Sequence, residues 1–168
     1  MTLHRIRLQW LLLMAGLGSV AIAGLVVKGA AFALINESPS LPRGLYVRTG
    51  APVARGAVVA IEQPEAARAY LKRMGMPKDV LLLKRVAAVE GDPVCAGEGV
   101  VRTPGRQVWT LDRDRQGAAL PAWRACRRLA AGEVFLLGDT AGSFDSRYFG
   151  PVRTSTTQGV YRAVSYTH

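Results

Sequence analysis

The segment that most limits what this chain can fold into lies at its start. Trp10 to Val27 reads WLLLMAGLGSVAIAGLVV, an uncharged run of 18 residues. That length meets the lower limit for crossing a bilayer as a helix. Gly29–Ile35 continues the apolar character beyond Lys28, whose stem reaches the headgroups from the end of the run. Arg5 and Arg7 precede the run, so the positive-inside rule leaves residues 1–9 in the cytoplasm. Residues 10–35 then form a transmembrane anchor, and residues 36–168 an exported domain. Ala21-Ile22-Ala23 also fits the cleavage site of a secretory signal, and that alternative exports the same domain. Persistence of apolar residues to Ile35 favours the retained anchor.

At 49% hydrophobic and 20% charged the chain has a folding composition, and its length suits one domain behind the anchor. The net charge is +10, but the arginines are scattered, with no basic helix and no aromatic stacking motif. Anionic lipid is therefore the expected partner, and nucleic acid is not. Cys95 and Cys126 both fall in the exported part, where an even count favours a disulfide worth about 3 kcal/mol. The alternative is a pair of reduced, buried thiols; a zinc site lacks the spacing and a nearby histidine.

Short apolar or alternating runs recur beyond the anchor: Leu45–Arg48, Ala57–Ile61, Leu81–Val89, Gly99–Arg102, Val108–Leu111, Glu133–Leu137 and Gly159–Val164. Gly, Pro and Asp separate them, which is the pattern of a mainly β domain of antiparallel sheets. Pro64–Met74 reads instead as one short helix opened by proline. Thr103–Arg127, rich in Gly, Arg, Asp and Pro, reads as an irregular insertion (residues 103–127) held by the expected disulfide.

The residue inventory narrows the chemistry. The two histidines are His4, ahead of the anchor, and His168, the last residue, so neither suits a Ser–His–Asp triad or a metal site. No Walker loop or dinucleotide fingerprint is present, and no cofactor or metal is expected. Lysine remains as a possible base. Lys28 sits at the membrane boundary, and Lys72 and Lys78 fall in solvated segments. Lys84 interrupts a strand apolar on both faces and, with period two, shares a face with Leu82, Val86 and Ala88. Desolvation there favours the neutral amine and makes the lysine a possible general base. On the strand alone, a lysine that snorkels out or pairs with a carboxylate is an equal alternative.

Three further segments carry a pattern. Asn36-Glu37-Ser38-Pro39-Ser40-Leu41-Pro42-Arg43-Gly44-Leu45-Tyr46 follows the anchor, Lys84-Arg85-Val86 lies mid-chain with Gly91-Asp92 soon after, and Gly138-Asp139 opens a stretch containing Ser143-Phe144-Asp145-Ser146-Arg147-Tyr148-Phe149-Gly150-Pro151. In this order they resemble the boxes of bacterial signal peptidase I, and most closely those of the TraF-type conjugative-transfer peptidases. Leu41 stands where the housekeeping enzymes carry Met, and Thr140 where Asn is usual.

The resemblance implies a signal-peptidase/LexA-like β core, with Ser40 as nucleophile and Lys84 as general base. It implies that Ser38 supplies a hydroxyl to the oxyanion hole, that Ser143 orients the lysine amine, and that Asp145 and Arg147 form a supporting ion pair. Ser38 as nucleophile and Ser146 as the orienting hydroxyl remain alternatives. The implied protein sits in the bacterial cytoplasmic (inner) membrane with its catalytic domain in the periplasm. Its implied partner is a membrane-inserted precursor, a pilin or a secreted preprotein, cut after small residues. A general type I signal peptidase is the nearest rival. A LexA-like self-cleaving regulator would need a DNA-binding module where this chain has an anchor, and a non-enzymatic membrane-tethered part of a secretion machine is the remaining reading.

Overall fold

The computed structural model describes residues 31–166. In chain order the strands are β1 Ala33–Asn36, β2 Gly44–Thr49, β3 Val58–Ile61, β4 Leu82–Ala88, β5 Pro93–Gly97, β6 Val100–Thr103, β7 Arg106–Trp109, β8 Cys126–Arg128, β9 Glu133–Leu137, β10 Val152–Arg153 and β11 Thr157–Tyr166. Helix α1, Glu65–Arg73, lies between β3 and β4, and the single turn α2, Ser146–Phe149, follows β9. One sheet has the order β1-β2-β11-β3-β4-β9-β10 and the other β7-β6-β5-β8, with every pair antiparallel. The mainly β, antiparallel expectation is met.

β3 explains the layering. Its four residues, VVAI, are all buried. Val59 and Ile61 pack with Leu82, Val86, Leu136, Val160 and the α1 residues Ala67, Tyr70 and Leu71. Val58 and Ala60 face the opposite cluster, with Leu41, Tyr46, Leu83 and Tyr161. A strand covered on both faces tolerates no alternation, which is why this segment reads as a continuous apolar run. α1 caps one side because Ala67, Tyr70 and Leu71 recur at helical spacing, and its last turn carries Lys72 and Arg73, the sign that suits a helix C-terminus.

Several elements differ from the sequence reading. Residues 10–30 of the expected anchor lie outside the described residues, while Ala33–Ile35, its last part, pair with β2 as a strand. Among the described residues no helix is long and apolar enough to cross a membrane. The expected insertion at 103–127 is only partly irregular: it contains β7, paired along β6, and ends in β8. The run read at Val108–Leu111 overlaps β7, whereas β8, three residues long, is too short for period two to register. On β4, Leu82, Lys84 and Val86 share a face as expected, but a register shift between Val86 and Ala88 moves Ala88 into a third cluster with Val94, Val101, Leu129, Phe135 and Leu137.

Cys95 and Cys126 are joined in a disulfide, and they are register partners on β5 and β8. The bond closes a loop with a sequence separation of 31. Replacing both by serine is expected to cost about 3 kcal/mol, read as a lower denaturation midpoint with a somewhat larger m-value, since the uncrosslinked chain unfolds further.

Candidate active site

The β1–β2 hairpin carries Ser38 and Ser40 in its connection, and Asn36 shapes that connection. The Asn36 amide donates to the carbonyls of Ser38, Leu41 and Pro42 at 3.0, 3.0 and 3.1 Å, while its Oδ1 accepts the Ser38 N–H at 3.3 Å. Tyr46 Oη fixes the same turn by donating to Pro42 O at 2.8 Å. Leu41 is driven into the core beneath. The hairpin thus holds Ser40 in place, 4% exposed. Ser38 Oγ and Ser40 Oγ lie 2.8 Å apart, and the Ser40 N–H donates to Ser38 Oγ at 3.2 Å. Asn36 was not singled out by the sequence reading, although asparagine is a residue whose side chain bonds backbone a few positions on.

Lys84 comes from the middle of β4, opposite Val59 of β3. It is 5% exposed, and its Nζ donates to Ser143 Oγ at 3.1 Å. Burial pushes its pKa down to about 8, against the opposing pull of Asp145 and with help from Arg147. With a pKa of about 8, roughly one Lys84 in ten is neutral at pH 7, against roughly one in three thousand for a solvated lysine.

The segment after β9 supplies the rest. Gly138 lies where the two serine-bearing segments meet: a methyl group there would overlap Ser143 Oγ and sit 2.9 Å from the Ser40 carbonyl. Only glycine lets the chains approach so closely. The next residue locks the contact, since the Asp139 N–H donates to Ser40 O at 2.6 Å. Its carboxylate takes a two-pronged bond from Arg85, at 2.9 and 2.8 Å, which ties the residue after Lys84 to the same corner.

Behind the corner sit Asp145 and Arg147, 0% and 1% exposed. Arg147 Nε and Nη2 each meet Asp145 at 2.8 Å, and Asp145 Oδ2 also accepts the Gly138 N–H at 2.8 Å. The remaining Arg147 donors go to the carbonyls of Trp109, Thr140, Ala141 and Ser143. Burial works against the Arg147 charge, but the Asp145 partner outweighs it and raises the pKa. Ser146 points elsewhere: its Oγ accepts from Leu136 N of β9 at 3.0 Å. Ser143 is therefore the hydroxyl on Lys84.

Ser38, Ser40, Lys84 and Ser143 line one cavity of about 740 Å³. Asp145 and Arg147 stand behind it, and the disulfide lies in the other sheet. Apart from Gln63, the buried polar and charged residues among those described are Asn36, Ser40, Lys84, Ser143, Asp145, Ser146 and Arg147. Burying polar groups is costly, so their gathering at one corner makes it the candidate site. The groups present are two hydroxyls, an amine whose pKa burial has lowered to about 8, and a third hydroxyl bonded to it.

The signal peptidase, peptidase S26 family matches residues 5–166, and the chain belongs to that family. Among its relatives is a plasmid transfer protein TraF of Escherichia coli, 35% identical, with 86% of this chain and 93% of the relative covered. A probable conjugal transfer protein TraF of Sinorhizobium fredii is 32% identical over 90% of this chain and 88% of its own. A signal peptidase I from Enterococcus faecalis, known from its crystal structure, is similar with a TM-score of 0.41 and 21% identity, covering 67% of this chain and 98% of that one.

Two outcomes follow from the geometry. Arg147→Met leaves the Asp145 carboxylate buried without its partner and should cost about 3–5 kcal/mol in a denaturant titration. Lys84→Met should act oppositely. A lysine whose folded pKa is about 8 and whose unfolded value is near 10.5 penalises the native state fully below pH 8, and the penalty fades as pH rises to 10.5. The variant should therefore exceed wild type by on the order of 2–3 kcal/mol at pH 6–7 and by little at pH 10.5, measured by parallel unfolding curves.

Proposed function

We propose that this protein is a membrane-bound Ser–Lys endopeptidase that matures precursor pilin subunits, cutting at small residues, for conjugative transfer through a type IV secretion apparatus. The observation that carries the reading is the pairing of a buried Lys84 amine with Ser143 Oγ in the cavity that Ser40 also lines. A buried lysine directed by a neighbouring hydroxyl, beside a serine on a rigid turn, is what nucleophilic catalysis without histidine requires. Membership of the signal peptidase family and likeness to plasmid transfer proteins support the class and the setting. Retention of residues 10–35 as an anchor, with the catalytic domain in the periplasm, belongs to the same proposal.

The precursor binds as an added strand. β4 pairs with β3 over Leu82–Arg85 but with β9 only from Arg85 onward, so Leu82–Lys84 have no strand partner on their other side. An extended peptide laid there gains main-chain bonds and runs into the dyad. Neutral Lys84 takes the proton from Ser40 Oγ as that oxygen attacks the scissile carbonyl carbon. Because the Ser40 N–H is held by Ser38 Oγ in the free site, Ser38 turns about its Cα–Cβ bond when substrate binds. That rotation leaves the Ser40 N–H and the Ser38 hydroxyl both free to face the oxyanion, each such donor being worth roughly 3 kcal/mol. The Lys84 ammonium then protonates the departing amine, leaving an ester on Ser40. Water, losing its proton to Lys84, then attacks the ester carbonyl. As the bond to Ser40 Oγ breaks, the Lys84 ammonium returns that proton to Oγ, releasing the acyl chain as its acid and restoring both groups.

Co-expression with a pilin precursor tests the reading. Wild type should process it, while Ser40→Ala and Lys84→Ala, present at equal membrane levels, should leave it intact. The single-turnover rate should climb as pH passes through about 8, following the neutral Lys84 fraction, and level off above pH 9. Cleavage by Ser40→Ala would move the nucleophile to Ser38 or remove the proposal.

A further inference from the structure

The cleft is larger than small-residue recognition needs, and apolar side chains form much of its wall. Beyond the dyad it is lined by Leu71, Met76, Val80, Leu111 and Leu120, with Tyr70 and Phe144. Val80 and Leu111, 41% and 48% exposed, keep large apolar surface uncovered there. Exposed apolar groups collected in one concavity mark a binding site. The wall is rigid: the Tyr70 and Phe144 rings stack at 4.4 Å, and Phe144 and Tyr148 at 5.4 Å.

One side of this pocket is a strap, residues 111–120, held at several points. Tyr70 Oη donates to Asp114 Oδ2 at 2.9 Å, while Asp114 Oδ1 accepts the N–H groups of Gln116 and Ala118 at 2.9 Å each. One carboxylate oxygen therefore closes the strap on itself, and the other ties it to α1. Leu111 N donates to Tyr148 Oη at 3.2 Å, and an isolated bridge joins Arg113 to Ala119. Burial, with Asp114 beside it, pushes the Tyr70 hydroxyl up to about 12, so it stays a donor at working pH.

We propose that this strap-walled end of the cleft is a subsite for one bulky apolar side chain of the substrate, about four residues from the scissile bond. The inference rests on the peptidase reading above. Val80 lies two residues ahead of β4 and four before Lys84 in the chain. An extended peptide added beside β4 would cover about four residues, roughly 13 Å at 3.3 Å per residue, on the way from the dyad to Val80. Leu and Phe fit the Leu, Met and aromatic part of the lining, and a polar residue laid against that part would surrender its water. The strap also brings Arg115 and Gln116 to the lining. The strap therefore adds a second requirement beyond small residues at the cut and narrows the substrate range.

The test is a set of peptides sharing one small-residue cleavage site, with Leu or the near-isosteric Asn at each position up to five residues from the cut. They are assayed with the full-length protein in detergent. The expected result is a preference for Leu of about tenfold or more in kcat/KM at a single position three to five residues from the cut. In Leu111→Asn and Leu120→Asn the Leu/Asn ratio at that position should fall to about twofold, while Leu111→Met keeps it. Uniform ratios across all positions in an active wild type overturn the subsite, as does an undiminished ratio in both Asn variants. Binding of the Leu and Asn peptides to Ser40→Ala, followed by calorimetry, separates the two proposals. Tighter binding of the Leu peptide with no cleavage by wild type would sink the peptidase reading and keep the subsite. Equal binding alongside normal cleavage would do the reverse.

Discussion

The site depends on one buried ion pair, Asp145 with Arg147. In energetic terms such a pair is a poor investment, since desolvating two charges consumes most of what their attraction returns. Its value here is geometric. The Arg147 guanidinium binds the Asp145 carboxylate and reaches four backbone carbonyls, those of Trp109, Thr140, Ala141 and Ser143. A planar fork with five donors can hold a loop in this way, and a lysine cannot. Asp145 completes the clamp by accepting the Gly138 N–H, so the segment from Gly138 to Arg147 closes on itself around the two charges. Ser143 is one of the residues so held, and through it the Lys84 amine.

The clamp works because the strands deliver the other partners to the same corner. Gly138 follows directly on β9, which pairs with β4 next to Lys84. The Ser40 carbonyl is caught by Asp139, whose carboxylate is caught by Arg85. Residues far apart in sequence are thus linked through short backbone contacts rather than long, mobile side chains. Asn36 does the equivalent within the hairpin, replacing solvent around three carbonyls of the turn that presents Ser40. Rigid presentation of this kind is what lets a serine hydroxyl approach a carbonyl without paying ordering entropy at the moment of reaction.

Much of this was legible in the sequence, and the failures have physical causes. The apolar runs that became β3, β4 and β9 announce themselves because both of their faces are buried. Lys84 stood out for the same reason, as a charge where the pattern tolerates none. Ser40, Ser143, Asp145 and Arg147 were named from a resemblance, not from periodicity. β1 was hidden because Ala33–Ile35 are as apolar as the run before them, and apolarity alone does not tell a strand from the end of an anchor. Asn36 and Asp139 were passed over because a polar residue in a loop looks solvated until its backbone partners are known. The strap was invisible as a wall, since what makes it one is Tyr70 on α1 reaching Asp114 across 44 residues of chain.

The buried pair also settles an electrostatic problem that burial alone would leave open. As the proposed base, Lys84 would have to lose its proton readily, and desolvation favours that. A single carboxylate near the amine would undo it, because an opposite charge at short range favours the ammonium form. Asp145 does pull in that direction, but Arg147 pushes the other way. Joined at 2.8 Å, the two charges present the lysine with a dipole in place of a net charge. The anion that the loop needs for its backbone bonds is thereby made tolerable beside the buried Lys84 amine. The order in sequence, Ser143, Asp145, Arg147, places the hydroxyl, the acceptor and the compensating cation on one short segment, so that none can be positioned without the others.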